Sequence, residues 1–237
     1  LAKLTIGGAI VASIANDIII VQTGVYSESL STTTSLTYIA DGFVILDGEN
    51  SINTLTLAIR LNGANRGFEG FIVRRFIGTS AVTFSPQAST VVVDRCRFED
   101  NTGHGANGSG GFGTGFDSCV FVNNGIGVNY TAGGNITSCT FVDNDKGAFG
   151  PAGGFTMLIR NCIFRNNTTH IEKGVGSYSP SSNGNLIDFS TGNCISGGTH
   201  TTLAAWQAAV GSPRDDSSIS SDPKFLDENK RMYGLKA

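Results

Sequence analysis

Charge is the scarcest ingredient of this 237-residue chain: Asp, Glu, Lys and Arg together make up 15% of it, well below the usual quarter. A disordered, charge-rich chain is excluded, because 40% of the residues are hydrophobic and can bury a core. The net charge is only −3, so the basic footprint of a nucleic-acid-binding protein is missing and no nucleic-acid partner is expected. No apolar run approaches the roughly 20 residues that a spanning helix needs, and no membrane span is expected. Helix-forming Ala, Leu, Glu and Lys do not dominate, which argues against a helical bundle. Also lacking are a G-x-S-x-G elbow, a Walker sequence and a C-x-x-C pair.

What the chain has instead is glycine, 32 residues of it, roughly twice the usual share. Val, Ile, Thr and Phe are also plentiful. A length of 237 residues suits one domain, and this composition suits an all-β one with many tight turns.

An internal repeat specifies which one. Arg95-Cys96-Arg97-Phe98-Glu99-Asp100-Asn101, Ser118-Cys119-Val120-Phe121-Val122-Asn123-Asn124, Ser138-Cys139-Thr140-Phe141-Val142-Asp143-Asn144 and Asn161-Cys162-Ile163-Phe164-Arg165-Asn166-Asn167 align without gaps. The cysteines are 23, 20 and 23 residues apart. Gly70-Phe71-Ile72-Val73-Arg74-Arg75-Phe76 reads as a degenerate earlier copy, and Asn193-Cys194-Ile195 as a displaced later one.

Within each copy, period two puts Cys and Phe on one face of a strand. A unit of about 22 residues cannot bury its own Phe, whereas stacked units bury a continuous column. Cys96, Cys119, Cys139 and Cys162 then stack, as do Phe98, Phe121, Phe141 and Phe164. Asn101, Asn124, Asn144 and Asn167 form an amide ladder at a turn. Glycine is expected to supply the corners through positive φ. The expected fold is an all-β, single-stranded right-handed parallel β-helix of about eight or nine coils.

The x-Cys-x-Phe-x-x-Asn repeats resemble the right-handed parallel β-helix superfamily typified by pectate and pectin lyases, and phage tailspikes share its architecture. The segments Asn16-Asp17-Ile18-Ile19-Ile20-Val21-Gln22 and Ser35-Leu36-Thr37-Tyr38-Ile39 are similar to its first coils. The segments Leu203-Ala204-Ala205-Trp206 and Ser221-Asp222-Pro223-Lys224-Phe225 are similar to its closing segments. The resemblance implies fold rather than function, since lyases, hydrolases, esterases and passive scaffolds share it. Residues 1–16 read as an N-terminal cap with a helix over 8–15, residues 17–200 as the β-helix, and residues 201–237 as a closing segment. Its helix, 203–210, would be capped by Thr201 or Thr202, with Trp206 on its apolar side.

Five cysteines without zinc-ligand spacing read as buried thiols, and neither a metal nor a cofactor is expected. His104 lies in Gly103-His104-Gly105-Ala106-Asn107-Gly108, which matches a dinucleotide fingerprint by letters but lacks its βαβ context. The sequons at Asn107, Asn129, Asn135 and Asn167 follow from Asn- and Thr-rich turns.

The resemblance implies that catalytic groups, if present, sit on an outer sheet surface. The outward columns beside the repeat read Arg97, Val120, Thr140, Ile163 and Glu99, Val122, Val142, Arg165. Their apolar centre (Val120, Val122, Thr140, Val142, Ile163) is expected to be a subunit interface, with a homotrimer as its assembly. The alternative is that a loop over residues 102–115 folds over it. The catalytic candidates are Arg95, Arg97, Glu99 and Asp100 beside Arg74 and Arg75, and Asp143 with Lys146 near Asp145, Asn166, His170, Glu172 and Lys173. Tyr130 and Tyr178 are the expected exposed aromatics. The expectation is a non-catalytic, trimeric surface protein of tailspike or virion-decoration type, located extracellularly or on a virion and in contact with other virion proteins or a surface polysaccharide. The alternatives are a lyase or glycoside hydrolase acting on an acidic glycan, and a carbohydrate-binding module.

Overall fold

Each Phe of the repeat needs a neighbour above and below, and the chain supplies one by coiling. The computed structural model describes residues 5–49, 55–61, 66–84, 91–108, 114–130, 133–150, 157–173, 182–211, 215–227 and 232–235. The described strands wind a right-handed parallel β-helix with three faces. On the second face, residues 24–26, 44–47, 71–74, Arg97–Glu99, Val120–Val122, Thr140–Val142, Ile163–Arg165 and Leu186–Ile187 stack in parallel register. The solenoid makes about six turns, slightly fewer than the eight or nine coils expected. Thr199–His200 pairs antiparallel with Asn193–Ile195 and ends the third face.

In the core, Phe98, Phe121, Phe141 and Phe164 stack face to face, with centroids 4.8 or 4.9 Å apart and planes within 6°. That separation is the rung spacing itself. The cysteines beside them are free and buried. Register puts Phe71 in the cysteine column one coil earlier and Asn185 one coil later. The Asn193-Cys194-Ile195 copy is therefore not a coil equivalent. Cys194 lies on the third face opposite Ile171, because the long connection after residue 173 shifts the repeat.

Beside the phenylalanines runs the asparagine ladder. Asn101 Nδ2 donates to Asn124 Oδ1 at 2.8 Å, Asn124 to Asn144 at 3.0 Å, and Asn144 to Asn167 at 2.8 Å. Each acceptor oxygen also takes a backbone N–H of the preceding asparagine, and each amide returns a bond to a core carbonyl such as Phe98 O or Phe121 O. Turn backbone groups that would otherwise be orphaned are thus satisfied in a dry interior.

The corners correct one expectation. Positive φ falls mostly on non-glycine residues: Arg95, Ser118, Ser138 and Asn161 at the first corner, Asp100, Asn123, Asp143 and Asn166 at the second. Small polar side chains tolerate this region by bonding locally. Glycine instead serves close approach. A Cβ on Gly125 would sit 2.6 Å from the Thr102 carbonyl oxygen, and one on Gly127 would sit 2.8 Å from the Phe141 ring.

Both ends are capped. Helix α1, Ile6–Ala12, starts two residues earlier than expected, is N-capped by Thr5 and receives the Glu28 carboxylate on the N–H groups of Ile6 and Gly7. Helix α2, Leu203–Val210, is N-capped by Thr202. Its buried Trp206 donates to Asp215 Oδ2 at 2.8 Å, while Asp215 Oδ1 accepts from Asn185 Nδ2 at 2.7 Å and Ser218 Oγ at 2.6 Å. One buried carboxylate thereby ties the last coil to the cap.

His170 ends the ladder. Register places it at the inward position held by Gly147 one coil earlier, packed edge-on against Phe164 and Phe189. Its Nδ1 accepts from Asn167 Nδ2 at 3.3 Å, and its Nε2–H donates to the Asp188 carbonyl at 3.0 Å. Burial pushes its pKa down to about 4.

Two predictions follow from these contacts. The Asn144→Ala variant strands the Asn124 backbone N–H and takes an amide donor from the Phe121 and Val142 carbonyls and the Asn167 oxygen, so stability should fall by about 2–3 kcal/mol, read from the urea midpoint. His170 favours the neutral form in the fold, so its contribution is complete above its unfolded pKa near 6.5 and is lost as pH falls toward about 4. Between those limits stability should drop by about 3 kcal/mol, and this slope should be absent in His170→Asn.

Candidate functional site

The charged residues closest to the repeat are the first to consider, and they are engaged with one another. On the second face, buried Asp47 takes Arg74 at 2.9 Å and also pairs with Arg75. Burial pushes the Asp47 carboxyl up, but hydrogen bonds from Arg75, the Glu49 N–H and Arg74 outweigh it and hold it below the usual carboxylate range. Arg97 binds Glu99 at 2.6 Å. Arg95 turns away to the first corner, where it pairs with Glu69 and, at 2.8 Å, with Asp94. Asp100 accepts from Asn123 Nδ2 at the second corner. The four candidates therefore divide among separate sites instead of converging. The second set divides likewise: Asp143 is exposed at the corner, whereas Lys146 lies on the third face, bound to Glu172 at 2.8 Å. His170 belongs to the core.

The expected subunit interface also needs correction. Val122 and Val142 point outward from the second face, yet each is 1% exposed within a single chain, and Thr140 is buried too. Val120 and Ile163 are half-buried. Outward residues lose their exposure only when other chain lies over them. The closing segment reaches this face at Arg165, whose guanidinium meets Asp222 at 2.8 Å and lies 6.0 Å from the ring of buried Phe225. Phe225–Asp227 in turn pairs antiparallel with Met232–Leu235. The composition of the strand gave no sign of this, because the segment that reaches this face at Arg165 lies 57 residues further along the chain. Of the loop over residues 102–115, positions 109–113 lie outside the described residues.

The third face is different. Its outward column reads Arg60, Thr83, Asn107, Asn129, Phe149, Glu172 in register. Asn129 is flanked by inward Val128 and Tyr130, both in the core, so strand alternation points its amide outward. Asn129 Nδ2 lies 3.3 Å from His104 Nδ1, which also meets Ser80 Oγ at 3.2 Å. Both contacts are satisfied if Nδ1 accepts, which puts the imidazole proton on Nε2. Burial pushes the His104 pKa down, so the ring is neutral near pH 7.

The carbonyl oxygens of this column have no such partners. Among the described residues, Asn107 Oδ1 and Asn129 Oδ1 are buried and accept no hydrogen bond, although Asn129 is only 8% exposed. Lys146 Nζ sits 4.6 Å above the Phe149 ring while it holds Glu172. Two amides whose oxygens are covered, a neutral histidine, a half-buried aromatic ring and an ion pair thus lie along one face. A groove of about 510 Å³ between α1 and the first coil is lined by Ile6, Ala9, Ile18 and Ile20 together with the polar Thr5, Ser13, Gln22 and Tyr26.

Sequence reasoning stopped one face short of this site. Asn107 and Asn129 were visible only as sequons and His104 only as part of a glycine motif. Their signal is the repeat itself: 107 and 129 are 22 residues apart, the coil length. Tyr130, expected to be exposed, is buried against Phe116, and Tyr178 lies outside the described residues. Among the described residues no three His, Cys, Asp or Glu side chains converge as a metal site, and no helix is long and apolar enough to cross a membrane.

Fold and surface define a parallel β-helix protein with its polar groups arrayed on an outer face. Residues 76–237 match the model of the family described as disaggregatase related, more than half of the chain, and the chain belongs to that family. No curated protein sequence matches it. Among solved structures it is similar to a pectin methylesterase from Yersinia enterocolitica, with 14% identity over 93% of this chain and 82% of that one, at a TM-score of 0.47. A pectin methylesterase from Erwinia chrysanthemi gives 10% identity over 74% and 77%, at 0.45. A mutant pectin methylesterase in complex with a hexasaccharide gives 11% over 78% and 75%, at 0.46. No residue role is taken from these likenesses.

The covered second face yields a further prediction. Phe225→Ala should free the closing segment and lower stability by about 3 kcal/mol. Hydrogen exchange at Val122 and Val142 should then quicken and bound ANS fluorescence should rise; an unchanged exchange pattern would show that other chain provides the cover.

Proposed function

We propose that this chain is a carbohydrate-binding β-helix module, located at a cell or particle surface, whose binding surface is the outer side of the third face. The observation that carries this reading is the uncharged polar stretch of the third face's outward column, Thr83, Asn107 and Asn129 in adjacent rungs with His104 against Asn129 and the half-buried Phe149 ring next in register. Neutral polar side chains and an aromatic ring repeated at one rung spacing match the hydroxyls and C–H faces of a sugar chain. The charge clusters that a lyase or hydrolase would draw on are spent on internal ion pairs, which favours binding over turnover. A trimeric scaffold, the other non-catalytic reading, drew its support from an open apolar column, and the centre of that column, Val122, Thr140 and Val142, is buried within one chain.

The test is a glycan array probed with the intact chain, followed by incubation of each bound glycan and assay for reducing ends and unsaturated uronates. Binding without either product is expected, and Asn129→Ala should weaken it by about tenfold. Product formation would move the protein to the enzymes, and an empty array would remove the reading.

A further inference from the structure

The end of the stack that carries α1 is apolar and open. Among the described residues nine large apolar side chains are exposed, and six of them lie at this end: Val11, Ile14, Ile18, Ile20, Val25 and Phe43, each 60% to 88% exposed. Together they present about 500 Å² of apolar surface. That matches the apolar share of the roughly 800 Å² that each partner gives to a stable interface, and a patch of this size on a lone chain marks a contact surface. α1 is a second sign. Ile6–Ala12 has no polar side chain on any side, yet of its residues only Ile6 is buried, and a helix apolar all round is one that is covered. We propose that this end docks on the same end of a second copy, across a two-fold axis, as a closed head-to-head dimer.

The occupant follows from what this end offers and what the far end lacks. Ile18–Tyr26 is the outermost strand of its sheet and, among the described residues, pairs only with Thr37–Asp47. Asp17 O accepts from the Thr37 N–H, so the alternate residues Ile18 and Ile20 turn their backbone groups to the free edge. A free apolar edge is a template for another strand, and the same edge of a second copy, run antiparallel, brings matching donors and acceptors. The groove between α1 and this strand leaves room beside the edge. Charge does not oppose the approach. Residues 5–16 carry none, Asp17 and Glu28 are turned to the N–H groups of Ile14, Ile6 and Gly7, and Asp41 takes Gln22 Nε2. The far end has no matching edge: Thr199–His200 lies antiparallel along the third face, Ile219 bridges Leu186, and α2 is tied over the last coil. Head-to-tail addition is therefore closed off, and a contact of like with like stops at two copies instead of growing into a filament.

Size-exclusion chromatography with light scattering on the intact chain tests this. A particle of twice the 24.7 kDa chain mass is expected at tens of micromolar. Ile20→Lys and Val11→Lys each place a charge on the patch, twice per dimer, and should weaken association by about a hundredfold or more. Both side chains stand in solvent in the single chain, so circular dichroism should show the fold unchanged. Val92→Lys is the control. Val92 is also exposed and lies three rungs beyond Ile18 in the same outward column, and its substitution should leave the dimer intact. A monomer at about 100 µM, weaker than the range of standard interfaces, overturns the proposal. So does a dimer that keeps its affinity in both lysine variants, or one that Val92→Lys dissociates equally. Particles larger than two copies overturn the closed head-to-head geometry.

Discussion

Stacking of identical groups at one rung spacing is the constraint on which everything else in this chain rests. A phenylalanine ring 4.8 Å below its copy has its face covered, and an asparagine amide in the same register finds an acceptor above it. Neither group could be satisfied within one coil of about 22 residues. The corners follow from the same demand, because the ladder asparagine needs a sharp turn on its N-terminal side, and Asp100, Asn123, Asp143 and Asn166 provide it in the left-handed region.

A column that propagates must also stop, and each end does so with polar chemistry. At the C-terminal end Asn185 replaces cysteine and hands its amide to Asp215, which binds the Trp206 indole of the capping helix. On the ladder, His170 replaces glycine and turns the last amide donor toward a neutral ring nitrogen. The same substitution that closes the ladder makes it sensitive to acid, because a second ring proton would oppose the donor of Asn167.

Once the interior is settled by stacking, the three outer faces are free to differ. The second carries a ladder of charges paired across rungs, with an apolar stretch that the closing segment approaches at Arg165. The third carries amides in adjacent rungs with an imidazole and an aromatic ring beside them. A face that spends its polar groups on ion pairs serves stability; a face of neutral polar groups in regular register offers a ligand a repeat to match. This contrast, more than any likeness to other β-helices, directs attention to Asn107 and Asn129.

Much of this was legible in the one-dimensional pattern. The repeated Cys, Phe and Asn specify inward columns, register and ladder because period two and a constant coil length are properties of the backbone. Thr202 and Trp206 announce the closing helix for equally local reasons. What the pattern could not contain is whatever depends on distant residues meeting: that Val122 and Val142 are covered, that Asp47 collects two arginines from the next coil, that His104 rests against Asn129. Sequence alone determined how each coil packs on the next, since every coil states the same rule. Only the tertiary structure decided which outer surface is left with polar atoms to offer, because exposure depends on what the rest of the chain lays over it.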